Sequence, residues 1–155
     1  MRLFLVPVVL AMFAPDTYLS VMAANDHTLV ATVGQSGSEF VALSRDRYWR
    51  SGADLLLDAG PFVAGLEYAT GRSAVLVGKP SLEFFGAALA LLGSDAAGTL
   101  MIGDDLWSDV QGAQRAGLQG WLVRTGKFQP DLLPTSGVHP DRVLDSVADL
   151  LQLFD

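Results

Sequence analysis

The fold class is decided by one stretch of the sequence, Leu100-Met101-Ile102-Gly103-Asp104-Asp105. Its apolar part, which we predict to be a strand over 99–102, leads directly into a glycine and two acidic residues. Short, continuously apolar runs are typical of strands that are buried on both faces of a parallel sheet. Two more such runs, Ala74–Val77 and Trp121–Val123, precede and follow it. Because helical segments separate the three runs, we predict an α/β fold in which helices flank a parallel sheet.

The helical segments carry recognisable end signals. Asp58-Ala59-Gly60-Pro61 indicates a helix start with Pro61 at the first helical position, and Gly71 indicates its end. Ser81 and Gly93 enclose a second helix in the same way. The side chains that we expect to face the core are Phe62, Leu66 and Ala69 in the first helix, Leu82, Phe85, Leu89 and Leu92 in the second, and Val147, Leu150, Leu151 and Phe154 in a last helix over 146–154.

The part of the chain before about Ser51 carries weaker signals. We predict strands over 3–10, 28–33 and 40–43 and a helix over 16–24. The apolar run after Arg2 has two interpretations, a buried strand or the apolar part of a secretory signal peptide that occupies residues 1–24. We favour the strand, and with it a cytoplasmic protein, because the rest of the sequence resembles an intracellular family through the motifs described below.

The composition limits the classes of partner. The 155-residue chain has 17 acidic and 10 basic residues and a formal net charge of -7. A surface of that sign repels phosphate backbones, so we expect no nucleic-acid partner. The N-terminal apolar run is too short to span a bilayer comfortably as a helix, so we expect no membrane partner. The absence of cysteine excludes disulfides, thiolate metal ligands and a cysteine nucleophile.

Ligand sites in parallel sheets lie at the carboxyl ends of the strands. Two such ends carry charged groups here: 78–81, with Lys79, and 103–109, with three carboxylates in six residues. Neighbouring carboxylates suit Mg²⁺, but acidic residues also cap helix N-termini, and the spacing leaves both interpretations open. Lys79 is either a solvated loop lysine or a point charge for a phosphate. A cation and a carboxylate cluster at neighbouring strand ends favour phosphoryl chemistry.

Both strand ends resemble motifs of the haloacid dehalogenase (HAD) superfamily of hydrolases. The similar stretches are Val75–Ser81, Leu100–Asp105 with Asp109, 112–117 and 123–127. The resemblance is specific over about 54–155. It implies a HAD-like Rossmannoid parallel sheet with flanking helices, of which this chain has the C-terminal part and a remnant of the cap domain. Residues 1–70 are then a partial cap with an unassigned N-terminal segment, and residues 71–155 are the C-terminal half of the core.

The same resemblance implies a Mg²⁺-dependent phosphohydrolase that acts on a small phosphorylated substrate, such as a phosphate ester, pyrophosphate or a phosphoamino acid. Asp104 and Asp105 are the implied metal ligands. Asp109 supports their loop and is counted with Lys79 and Asp104 among the catalytic residues. The implied phosphate- and substrate-binding residues are Lys79, Pro80 and, in a segment similar to the cap, Arg47.

The family's nucleophile, an aspartate in an Asp-x-Asp motif after the first core strand, has no counterpart in this sequence. Pro15-Asp16-Thr17 comes nearest, but it lacks the second carboxylate and the following glycine. The resemblance therefore leaves two functions open, a Mg²⁺-dependent phosphohydrolase whose activity in this chain alone is an open question and a catalytically inactive HAD-like binding module. Missing core strands would also expose a sheet edge, for which there are two hypotheses: residues 1–14 cover it as a replacement strand, or a homodimer forms through the cap or through that edge.

Overall fold

The elements of the chain fall into two units, Met1–Gly78 and Lys79–Asp155. A computed structural model describes residues 10–12, 18–20 and 40–153. The strand predicted over 28–33, most of the apolar run after Arg2 and the nearest nucleophile candidate, Asp16, lie outside the described residues. The division into cap and core after residue 70 and the signal-peptide interpretation stay predictions.

The first unit contains three strand pairs and one helix among its described residues. β1 (Leu10–Met12) pairs antiparallel with β2 (Tyr18–Ser20), β3 (Val41–Ala42) pairs in parallel with β6 (Val75–Leu76), and β4 (Tyr48–Ser51) pairs antiparallel with β5 (Asp54–Leu57). The helix predicted over 16–24 is wrong at 18–20, because these residues pair with β1 and partner strands override a weak local pattern.

The helix of the first unit, α1 (Ala59–Thr70), has the predicted ends. The Asp58 side chain accepts from the Ala59 N–H at 2.7 Å, and Gly71 has a φ of 67°. Pro61 is the third helical residue instead of the first, which costs no hydrogen bond because the first four N–H groups of a helix have no partner within it.

The buried stripe of α1 differs from the predicted one. Ala59 and Val63 are buried with Phe40 and Ala42, and Leu66 packs against this cluster. Phe62 is 55% exposed, so its predicted inward position is wrong. The stripe that contacts β3 follows the spacing 59, 63, 66, and the predicted stripe over 62, 66 and 69 shares only its middle member.

For strand β6, too, the observed burial agrees only in part with the predicted burial. Its hydrogen bonds run to the residues around β3, from the Val75 N–H to the Phe40 carbonyl at 2.7 Å and from the Val77 N–H to the Ala42 carbonyl at 3.0 Å. Leu76 packs against the core, whereas Val75 and Val77 are 52% and 41% exposed. The prediction of burial on both faces is therefore wrong, because alternate side chains of a strand point to opposite faces and only one face is covered.

The second unit is built around a three-stranded parallel sheet in the order β7-β8-β9. Its elements are α2 (Leu82–Leu92), β7 (Leu100–Gly103), a π-helical turn (Leu106–Gln111), α3 (Gly112–Arg115), β8 (Gln119–Val123), a 3₁₀ turn (Pro130–Leu132), β9 (Arg142–Leu144) and a 3₁₀ segment (Val147–Gln152). The α/β class with parallel strands and helices is thus confirmed. No helix of the described residues is long and apolar enough to cross a membrane.

Helix α2 also has its predicted ends, Ser81 as the cap and Gly93 with a φ of 62°. Of its predicted stripe, Phe85 is 1% exposed and packs with Ala113 and Leu118, and Leu89 borders this cluster. The ends of the stripe, Leu82 and Leu92, are 52% and 67% exposed, so their predicted burial is wrong. The reason is geometric, since α3 is only four residues long and the cluster around its Ala113 takes in Phe85 and Leu89 but neither end of α2.

The C-terminal segment is a 3₁₀ helix instead of the predicted amphipathic α-helix over 146–154. Ser146 and Asp149 form a reciprocal capping box at its start. Val147 and Leu151 are exposed, which corrects their predicted inward position, and Phe154 lies outside the described residues. Three residues per turn place residues three apart on one face, so an α-helical stripe does not carry over to this segment.

Asp141 ties the entrance of β9 to two other elements of the second unit. Its Oδ2 accepts from the Gly120 N–H of β8 at 2.8 Å and from the Gln114 side chain of α3 at 3.1 Å. These two hydrogen bonds, the one from Gly120 first, lower the pKa of Asp141 below its ordinary value of 3.8. The ionised form is therefore stabilised in the folded protein.

Phe85→Ala tests the core of the second unit. We expect the free energy of unfolding to fall by about 3–5 kcal/mol, because the ring is lost and a cavity remains. Leu91→Ala on the same helix is the matched control, since Leu91 is 90% exposed and its truncation is expected to change stability by no more than about 0.5 kcal/mol. Urea unfolding followed by circular dichroism measures both, and equal losses would contradict the packing described.

Asp141→Asn tests the acidic cap of β9. Because folding lowers the pKa of Asp141, its carboxylate contributes to the free energy of unfolding. This contribution is complete above the unfolded pKa of 3.8 and is lost as the pH falls through the lower pKa of the folded protein. We therefore expect the melting temperature of the variant to fall less than that of the wild type between pH 6 and pH 3. Asp131→Asn, at an exposed position of the 3₁₀ turn, controls for the removal of one charge, and an unchanged pH profile for Asp141→Asn would contradict the assignment.

Candidate active site

The acidic loop after β7 is organised by Asp105. Its Oδ1 accepts from the N–H groups of Trp107 and Ser108 at 2.9 and 3.0 Å, so Asp105 caps the π-helical turn. Its carbonyl accepts from the N–H groups of Asp109 and Val110, the second bond being the i→i+5 contact that defines a π turn. Such turns are rare and occur frequently at functional sites.

Asp109 returns from this turn to the end of β7. It is 3% exposed, and its Oδ1 lies 2.5 Å from the Lys79 Nζ. Its Oδ2 accepts from the Asp105 N–H at 3.1 Å. A buried carboxylate is costly unless it is paired and hydrogen-bonded, and here both oxygens have partners. The Lys79 side chain keeps 35% of its surface exposed, so the pair is partly open to a ligand.

Gly103 permits this approach. An added Cβ at Gly103 would lie 2.0 Å from Asp109 Oδ2, far inside any contact distance. The last residue of β7 therefore has to lack a side chain for Asp109 to occupy its position. The group that approaches Gly103 is thus a carboxylate of the protein itself.

The loop after β8 contributes two residues whose role the sequence did not assign. The Lys127 N–H donates to Asp104 Oδ2 at 2.7 Å, and the Lys127 Nζ lies 3.5 Å from Asp105 Oδ2. Gly126 has a φ of 54°, and an added Cβ there would lie 1.8 Å from Asp104 Oδ2. A signal was present, because this loop follows the third apolar run and the strand-end rule applies to it as well.

The structure thus brings together four of the predicted residues, Lys79, Asp104, Asp105 and Asp109, within the second unit. Pro80 lies against Gly112 at the start of α3. Arg47 belongs to the first unit and directly precedes β4, and its carbonyl accepts a hydrogen bond from the Asp58 N–H. The proposed roles of Pro80 and Arg47 in substrate binding stay predictions.

The loop suits a cation that needs few protein ligands. Within the described residues no group of three or more His, Asp or Glu side chains is placed to hold a metal. Mg²⁺ needs only one or two carboxylates, because waters and substrate phosphates complete its shell. Asp105 and Asp109 are ion-paired with lysines, whereas Asp104 forms no ion pair with any described residue and is only partly buried. Asp104 is therefore the carboxylate that fits a Mg²⁺ ion.

Comparison with known proteins places the site in a family. Residues 76–150 match the HAD-hydrolase-like family model. Human phospholysine phosphohistidine inorganic pyrophosphate phosphatase is 44% identical over 114 residues, which are 74% of this chain and 42% of that protein. The region belongs to the HAD superfamily. The resemblance that the two strand-end motifs predicted is thereby confirmed.

Other HAD proteins show a similar extent of likeness. Haloacid dehalogenase-like hydrolase domain-containing protein 2 from Bos taurus is 47% identical over 93 residues, which are 60% of this chain and 36% of that protein. The chain therefore spans less than half the length of the curated relatives that it matches. Its matching region corresponds to their C-terminal part.

Two solved HAD phosphatases show the same fold. The p-nitrophenyl phosphatase from Archaeoglobus fulgidus is 28% identical with a TM-score of 0.71, over 83% of this chain and 52% of that one. The glycerol phosphate phosphatase Rv1692 from Mycobacterium tuberculosis, in complex with magnesium, is 28% identical with a TM-score of 0.69, over 86% of this chain and 41% of that one. The similarity in structure thus extends over most of this chain.

Gly126→Ala tests the close approach of the β8 loop to Asp104. The matched control is Gly137→Ala, because Gly137 also has a positive φ, 72°, but no atom lies within 4 Å of the added Cβ. We expect the control to lose about 1–2 kcal/mol of unfolding free energy from backbone strain alone. Gly126→Ala is expected to lose about 1–3 kcal/mol more, because Asp104 has to move. Denaturant unfolding measures both, and equal losses would show that Asp104 does not pack on Gly126.

Proposed function

We propose that this chain carries the Mg²⁺-binding and phosphate-positioning part of a HAD-type phosphohydrolase site. The observation that carries the proposal is the bonded chain from Lys79 through Asp109 to Asp105, with Asp104 beside it on the same loop. At the carboxyl end of β7 this arrangement holds the partly exposed Lys79 ammonium and the Asp104 carboxylate, which has no ion partner among the described residues. Such a pair can bind a phosphoryl group from one side and a divalent cation from the other.

Each residue has a role in the proposal. Asp104 is the carboxylate ligand of Mg²⁺, and Asp105 lies next to it. Bound Mg²⁺ supplies positive charge that offsets the charge on the transferring phosphoryl group. Lys79 binds phosphoryl oxygens through its ammonium, and Asp109 keeps that ammonium in place from its buried side. Because phosphoryl transfer depends mainly on positioning and charge stabilisation, these four residues cover much of what the reaction needs apart from a nucleophile.

The substrate class follows from the relatives. The names of the related proteins refer to inorganic pyrophosphate, phosphoamino acids, p-nitrophenyl phosphate and glycerol phosphate, and one of the structures contains magnesium. We therefore propose a small phosphorylated substrate. In the same proposal residues 1–70 contain the partial cap, and Arg47 in that cap and Pro80 beside Lys79 contribute to substrate binding.

A catalytically inactive binding module is the second candidate. It is favoured by one specific observation, the absence of any Asp-x-Asp sequence in the chain. A site with Mg²⁺ and phosphate affinity but no nucleophile would bind its ligand without turnover. The two candidates therefore differ in hydrolysis and agree in Mg²⁺ binding.

Asp104→Asn tests the proposal in two measurements. Isothermal titration with MgCl₂ is expected to show binding that the variant weakens at least about tenfold, because a neutral amide replaces the carboxylate ligand. Hydrolysis of p-nitrophenyl phosphate is expected to require Mg²⁺, to stop with EDTA and to fall at least about 100-fold in the variant. Asp131→Asn, which removes an exposed carboxylate of the same unit, is the matched control and should leave both measurements unchanged.

The outcomes separate the candidates. Mg²⁺-dependent hydrolysis that is lost in Asp104→Asn supports the phosphohydrolase, and Asp16→Asn then tests the nearest nucleophile candidate. Mg²⁺ binding without hydrolysis, in a folded protein, supports the binding module. Absence of Mg²⁺ binding in the wild type would refute the assignment of the site.

A further inference from the structure

Lys127 contacts both of the adjacent carboxylates through different groups. Its backbone N–H donates to Asp104 Oδ2 at 2.7 Å, and its ammonium lies 3.5 Å from Asp105 Oδ2. Its side chain is 17% exposed, which is unusual for a lysine and indicates a fixed position. One residue of the β8 loop therefore sets the positions of two residues of the β7 loop.

The charges of the site are matched pair by pair. Lys79 pairs with Asp109, and Lys127 pairs with Asp105. Asp104 is the one member of the acidic group without an ion pair among the described residues. Both oxygens of Asp105 are in use as well, since Oδ1 accepts two backbone N–H groups and Oδ2 faces the ammonium.

Arg124, three residues earlier in the same loop, is a solvent-exposed cation that serves for comparison. Its ion pair with Asp145 joins side chains that are 53% and 78% exposed. Exposed pairs of this kind contribute little and fix no neighbouring element. The contrast in burial between Arg124 and Lys127 argues that Lys127 has a local task at the acidic loop.

We propose that Lys127 is a positioning residue that keeps Asp105 from binding the cation, so that a metal ion at this loop takes Asp104 as its only carboxylate ligand from the chain's second unit. The inference rests on the proposed function, because it concerns the Mg²⁺ ion that the proposed function assigns to Asp104. Lys127 acts through the two carboxylates that it contacts. Its backbone N–H orients Asp104, and its ammonium pairs with Asp105 Oδ2, so that this oxygen is not available to a metal ion.

This arrangement sets the preference between Mg²⁺ and Ca²⁺. Mg²⁺ binds through one or two carboxylates and retains several waters, whereas Ca²⁺ takes six to eight oxygen ligands and gains from each additional carboxylate. Withholding Asp105 therefore disfavours Ca²⁺ more than Mg²⁺. Removal of the ammonium should release Asp105 Oδ2 as a second ligand and shift the preference towards Ca²⁺.

The experiment compares Lys127→Met with Arg124→Gln by isothermal titration of the full chain with MgCl₂ and with CaCl₂. Both variants lose one positive charge from the same loop, but only Lys127→Met frees Asp105. We expect Lys127→Met to raise Ca²⁺ affinity at least about tenfold and to raise the ratio of Ca²⁺ to Mg²⁺ affinity at least about fivefold. Arg124→Gln should leave that ratio unchanged.

Two further variants show whether Asp105 is the released ligand. The double variant Lys127→Met with Asp105→Asn should return the Ca²⁺ affinity to the wild-type value, because the amide retains the capping oxygen but not the charge. Lys127→Arg should retain the wild-type ratio, since it restores a cation at Asp105. Circular dichroism checks folding, and Lys127→Gln carries the same expectation if Lys127→Met does not fold.

The outcomes distinguish this inference from the proposed function. If the wild type binds Mg²⁺ and Lys127→Met has the same Ca²⁺ preference as Arg124→Gln, the inference is overturned and the proposed function stands. If the wild type binds no Mg²⁺ but Lys127→Met gains Ca²⁺ binding that Asp105→Asn removes, the inference stands and the proposed function fails. Binding in none of the variants overturns both.

Discussion

The buried carboxylate of Asp109 is the constraint on which the site depends. A charge that is 3% exposed is tolerated only with partners, and it has them on both oxygens, the Lys79 ammonium and the Asp105 N–H. These two bonds connect the start of the second unit with the capped π-helical turn. They also require a residue without a side chain at the end of β7, which is why Gly103 stands there. Removing the Lys79 ammonium would leave the buried Asp109 charge without its ion pair.

The end of β8 completes the arrangement from a second direction. Parallel strands present their carboxyl ends at one edge of the sheet, so the loops after β7 and β8 meet there. Gly126 brings the backbone of that loop against Asp104, and Lys127 places a second ammonium beside the acidic group. In this loop Asp109 and Asp105 are paired with lysines, whereas Asp104 has no ion pair with any residue that the structure describes. A loop with one unpaired carboxylate is compatible with Mg²⁺, which needs only one or two carboxylates and retains several waters.

Several elements were predictable because their signals are local. Caps at Asp58 and Ser81, and glycines after both helices, fix helix ends through hydrogen bonds within a few residues. Burial was less predictable, because it depends on what lies opposite. Phe62 and Leu92 belong to apolar stripes in the sequence, yet both are exposed, since the residues that pack against α1 and α2 cover only part of each stripe. The role of Lys127 was equally hidden, because its partners lie more than twenty residues away along the chain.

The sequence by itself determined the alternation of strands and helices, the helix ends, the HAD family motifs and the two strand ends that carry Lys79 and the acidic loop. These follow from the order of residue types over short distances. Only the tertiary structure decided which carboxylate is paired with which lysine, that Asp105 acts as a cap, and that Asp104 is left without an ion partner among the described residues. Such choices depend on distances between loops that the sequence keeps far apart, and on burial that makes an unpaired charge costly.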